Sequence, residues 1–130
     1  MWIFSASAGD PMLLDSCAGL RGLHERIRAF ADAGDSTLVL PATTEGSPAP
    51  YERFLSGLRI TKGKGKASLT LSADGWLDLS VEFIELRRFA DVVLVKSETD
   101  HHHWHCNPIS LVIEADTVWV EEHEAWAREK

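Results

Sequence analysis

Cysteine is scarce in this chain: Cys17 and Cys106 are the only two, they lie far apart, and neither belongs to a CxxC pair. That excludes a disulfide framework and reads as two buried thiols of a reducing compartment. Long apolar runs are missing as well. No stretch approaches the roughly 18 uncharged apolar residues of a membrane span, and the opening Met1 to Asp10 lacks the basic start and apolar length of a secretory signal. A cytoplasmic, soluble protein with no membrane partner is the expectation. Basic residues are outnumbered, 13 Lys and Arg against 20 Asp and Glu, for a formal charge of −7. This balance disfavours nucleic acid and anionic surfaces and favours a basic partner.

Complete catalytic motifs are missing too. His24-Glu25 and His123-Glu124 each begin an HExxH pattern, but Arg28 and Ala127 stand where the second histidine belongs. Gly63-Lys64-Gly65-Lys66 lacks the spacing of a phosphate loop and reads as a turn. No GxSxG elbow occurs, and nothing flanking either cysteine marks an activated nucleophile.

What is present is ordinary globular composition, 45% apolar and 25% charged, which excludes disorder and suits one domain spanning 1–130. Leu20, Leu23, Ile27 and Phe30 recur at helical spacing and predict an amphipathic helix over 15–33, ended by Gly34. Ser36 to Leu40 is expected as a strand, Ala42 to Pro50 as a loop, and Tyr51 to Leu58 as a helical turn running into a strand. Leu58 to Thr61, Ala67 to Leu71 and Trp76 to Val81 alternate between Gly-containing turns, with Asp74-Gly75 a strong hairpin signal, and predict an antiparallel β-meander. A second helix is expected over 82–95, with Leu86, Phe89, Ala90 and Val93 inward. Ile109 to Glu114 reads as a further strand of the same sheet. Thr117 to Lys130 reads as a helix with Trp119, His123 and Trp126 along one side, although its first residues suit a strand equally well. The fold class is therefore α+β, an antiparallel sheet covered by two or three amphipathic helices.

Two segments carry candidate chemistry. If 101–106 is extended, His101, His103 and His105 share one face while His102, Trp104 and Cys106 share the other. A pair of these imidazoles could hold Zn or another divalent transition metal, provided Glu114, Asp116 or His123 completes the set, because the outer histidines lie roughly 13 Å apart. The alternative is a mixture of surface imidazoles and one or two buried, hydrogen-bonded ones. The stretch 114–130 carries six acids against Arg128 and Lys130. Trp119, Glu121, Glu122, His123 and Trp126 are its candidate partner-binding residues, since aromatics anchor interfaces and charge steers encounter. A solvated helix with core-facing tryptophans is the competing reading.

The run Asp74-Gly75-Trp76-Leu77-Asp78-Leu79-Ser80, then Glu82, Leu86, Phe89 and Ala90, then His101 to Cys106 and Leu111-Val112-Ile113-Glu114, resembles the small immunity proteins grouped as family thirty-two of bacterial toxin systems. The likeness covers roughly residues 67 to 116 and leaves the first helix outside. It implies a non-catalytic α+β protein that binds and inhibits a co-encoded toxin domain, and the acidity here suits a basic target such as a nuclease. It carries over no toxin-contact residues. A metal-binding accessory protein and a small enzyme using the His101 to His105 cluster are the alternatives, and the oligomeric state is not legible in the sequence.

Overall fold

The structure, a computed structural model, describes residues 1–129, with side chains described through Ala125. In chain order the elements are β1 (Trp2–Ser5), β2 (Met12–Asp15), α1 (Cys17–Asp32), β3 (Thr37–Pro41), β4 (Arg53–Phe54), β5 (Gly57–Lys62), β6 (Ser68–Leu71), β7 (Trp76–Val81), α2 (Phe83–Val93), β8 (His101–Trp104), β9 (Asn107–Pro108), β10 (Leu111–Ala115) and α3 (Thr117–Glu129). The α+β class holds, built as two five-stranded sheets rather than one. The first runs β4-β1-β2-β10-β8 and the second β3-β5-β7-β6-β9.

The expected meander is corrected in its first half. Asp74-Gly75 does close an antiparallel hairpin between β6 and β7, with the Ser72 N–H donating to the Trp76 carbonyl at 2.9 Å. The Gly-rich stretch after β5, however, carries the chain past a vacant strand position instead of turning back. β7 fills that position and pairs in parallel with β5, Leu58 beside Leu77 and Ile60 beside Leu79. Period-two alternation fixes which face is buried but is blind to which neighbour a strand takes. Arg59 secures the outer face of this parallel pair. Its guanidinium donates to Asp78 (Nε to Oδ1, 2.6 Å; NH2 to Oδ2, 3.1 Å) and to both Asp74 oxygens at 3.2 Å, and it lies 5.2 Å from the Trp76 ring centre.

Ile109 to Glu114 is corrected likewise: its strand, β10, lies in the other sheet, parallel to β2 and antiparallel to β8. Both β1 and β2 went unrecognised in the sequence. Tyr51 to Leu58 forms no helical turn but a bend and the two-residue β4, paired with β1. The tail is the helix α3, so its strand alternative falls.

The helices follow their stripes. Ser16 caps α1, its Oγ accepting the Gly19 N–H at 2.9 Å. One continuous core joins Leu20, Leu23, Ile27 and Phe30 of α1 and Leu86, Phe89, Ala90 and Val93 of α2 to both sheets. The first sheet contributes Ile3, Leu13, Leu111 and Ile113, the second Leu58, Ile60, Leu69, Leu77 and Leu79. Leu71 sits at the end of β6 and is 39% exposed. The first sheet is also buried on its other side, where Trp2, Phe4, Leu14 and Val120 form a second cluster.

A groove beside the acidic helix

Register dictates what the outer face of the first sheet presents. One row across it reads Phe54, Phe4, Met12, Val112, His103, and the next reads Trp2, Leu14, Glu114, His101. Apolar side chains occupy the β4–β1–β2 part and extend to Val112, while Glu114, His101 and His103 bring polar groups to the β10–β8 part. Helix α3 covers the apolar half. Trp119 meets Trp2 at 5.0 Å and Phe4 at 5.3 Å, both edge-on, and His123 one turn later stacks on Trp119 at 3.5 Å with its Nδ1 3.0 Å from the Trp119 carbonyl. The start of the helix is fixed by carboxylates: Asp116 Oδ1 accepts the Trp119 N–H at 3.0 Å and Glu98 Oε2 accepts the Thr117 N–H at 2.8 Å. Both complement the positive end of the helix dipole. The Thr117 bonds hold Glu98 below the usual carboxylate range, and Glu98 in turn pushes the Cys17 thiol up, away from nucleophilic use.

Where α3 stops covering the sheet, a groove of about 360 Å³ opens. Phe4, Met12 and Leu14 line its base, Tyr51 and Trp119 stand at its sides, and Glu114 and Asp116 supply its charge. Phe4 and Tyr51 pack at 5.3 Å, with the Tyr51 hydroxyl 3.8 Å from Met12 Sδ. Burial, and then the charge of Asp116, raise the Glu114 carboxyl above its ordinary value, and His101 pulls it partly back. No hydrogen bond contributes to that balance, so Glu114 meets desolvation without a donor among the described residues.

The histidine strand divides as its alternation requires. His101 and His103 face outward with ring centres 5.1 Å apart, and His105 beyond the strand stacks on His103 at 5.9 Å. All three are exposed. Trp104 is buried edge-on against Phe89 at 5.3 Å, and His102 is half-buried with Nδ1 2.7 Å from the Val92 carbonyl. Among the described residues no group of three or more His, Cys, Asp or Glu side chains is placed to hold a metal ion.

Of the partner-binding candidates, Glu121 and Glu122 are exposed, Trp119 and His123 are half-buried in the stack, and the Trp126 side chain lies outside the described residues. Glu122 and His123 also border a smaller hollow of about 280 Å³ with Gly46 and Ser47. Sequence reasoning missed Phe4, Met12 and Tyr51 as parts of a site. Their signal was the short apolar runs Trp2-Ile3-Phe4 and Met12-Leu13-Leu14, which mark strands but not the groove they frame.

Among the described residues no helix is long and apolar enough to cross a membrane. No family model, curated protein or solved structure matches the chain.

Proposed function

We propose that this chain is a non-catalytic, immunity-like protein that binds and inhibits a toxin domain encoded beside it, using the outer face of α3 and the adjoining histidine strand. The observation that carries this reading is the setting of α3. Its inner side is spent on Trp2, Phe4 and Leu14, while Glu121, Glu122 and Glu124 all stay exposed. Those carboxylates continue through Asp116 and Glu114 towards His101 and His103, giving an acidic surface with aromatic edges suited to a basic partner. The resemblance to family-thirty-two immunity proteins supplies the toxin as that partner. Among the described residues no group of three or more His, Cys, Asp or Glu side chains converges to hold a metal ion, so the metal-binding alternative lacks a ligand set there.

The test is binding to the product of the neighbouring open reading frame. Association is expected to be fast at low salt and to slow as salt screens charges beyond a Debye length of about 8–10 Å. Paired Glu121→Lys and Glu122→Lys should weaken binding, whereas Lys64→Glu and Lys66→Glu should leave it unchanged. Loss confined to the second pair would place the contact on the opposite charge, and metal-dependent turnover abolished by His103→Ala would replace the binding reading with an enzymatic one.

A further inference from the structure

We infer that the groove between α3 and the Pro50–Tyr51 bend is a pocket for one arginine side chain of a protein partner, its guanidinium held by Glu114 and Asp116 against the Trp119 and Tyr51 rings. The inference rests on the binding reading above and gives it a defined point of contact.

The molecule itself shows how it holds a guanidinium. Arg59 forks onto two carboxylates, Asp74 and Asp78, and lies over an indole, Trp76. The groove brings together the same residue types, two carboxylates and an indole in Glu114, Asp116 and Trp119, the last with one face taken by His123, and no arginine lines it. Neither acid forms an ion pair among the described residues; the pairs there use Asp15, Asp32, Asp74, Asp78 and Glu85. Asp116 commits Oδ1 to the helix start and keeps Oδ2 for a ligand. Glu114, half-buried and without a donor, gains most from a cation brought into the groove.

Arginine fits this lining better than lysine. A planar guanidinium stacks on aromatic faces and donates in a fork, whereas an ammonium is a compact and strongly hydrated point charge. The apolar base of Phe4, Met12 and Leu14 suits the methylene stem.

The test uses Nα-acetyl-arginine amide as the probe, with the lysine and citrulline counterparts for comparison, followed through the Trp119 indole and Met12 methyl NMR signals of the whole protein. Saturable shifts with the arginine probe, weaker ones with lysine and none with neutral citrulline are expected. Glu114→Gln, which preserves shape, should weaken the arginine probe at least about tenfold, as loss of a charged hydrogen-bond partner does. Absence of saturable shifts, equal response to citrulline, or a Glu114→Gln protein that binds unchanged would each overturn the pocket. The two readings separate cleanly. Arginine probe binding without binding of the neighbouring gene product keeps the pocket and removes the toxin, and toxin binding indifferent to Glu114→Gln removes the pocket and keeps the toxin.

Discussion

Phe89 is the position where removing one side chain should cost the fold most. It is fully buried on α2, sits in the core shared by both sheets, and meets Trp104 edge-on at 5.3 Å. Phe89→Ala removes the ring's burial and leaves a cavity whose rigid neighbours cannot fill it, a loss of about 3–5 kcal/mol for buried aromatics. The pair with Trp104 adds about 0.5–1.5 kcal/mol beyond area, which places the cost in the upper part of that range. Domains of this size hold only about 5–15 kcal/mol in reserve, so Phe89→Leu serves as a milder companion that keeps most of the volume. Urea unfolding followed by Trp fluorescence reads both, and Leu71→Ala is the control. Leu71 faces the same side of its sheet as Leu69 yet is 39% exposed, so its truncation should cost well under half as much. Equal losses for Phe89→Ala and Leu71→Ala, or an unchanged midpoint for Phe89→Ala at constant slope, would refute the placement of the core.

Further outcomes follow from single residues. At Gly57 an added Cβ would collide with the Leu40 carbonyl and the Trp76 ring, so Gly57→Ala should destabilise by about 1–3 kcal/mol. Gly22→Ala, on the exposed side of α1 with open space around it, should stabilise by about 0.5–1 kcal/mol, and thermal melts of the two variants should move in opposite directions. Glu114 gives a pH signature. Its folded-state carboxyl titrates above the unfolded one, raised by burial and Asp116 against the opposing pull of His101. The folded chain therefore holds the proton more tightly, the penalty is absent below the unfolded value, and it grows as pH rises through the raised folded value. Glu114→Gln should raise the unfolding midpoint at neutral pH and lose that advantage in acid; an equal gain at both pH values would contradict the desolvated carboxylate.

Helical stripes carried their meaning in the sequence. The spacing of Leu20, Leu23, Ile27 and Phe30, and of Leu86, Phe89, Ala90 and Val93, marked buried faces that the structure retains, because a helix satisfies its own backbone and needs only a surface to lie on. Strands need partners, and partners are not local. Alternation identified β5, β6 and β7 but gave no sign that β7 slips between the other two, since that choice depends on which edges find one another in three dimensions. The histidine strand showed its faces correctly, buried Trp104 against exposed His101 and His103. The groove was illegible for the same reason as the topology: Phe4, Tyr51 and the stretch from Glu114 to Trp119 come from three distant parts of the chain, and the pairing of β4, β1, β2 and β10 brings them together.

The pairing of β2 with β10 also fixes the order of events as the chain is made. Leu13 lies beside Ile113, and near the same junction the Cys17 N–H reaches Thr117 Oγ1 across 100 residues of sequence. On a ribosome, the β1–β2 hairpin emerges early with Trp2, Ile3, Phe4, Leu13 and Leu14 still lacking the cover they have in the native fold. It must wait about 100 residues before β10 arrives to close its edge and α3 to cover its outer face. Until then the nascent protein displays an uncovered apolar outer face and an open edge, the kind of surface that chaperones hold and that joins wrongly to its copies when crowded. Closing this late, long-range seam makes completion of the first sheet a slow step in folding.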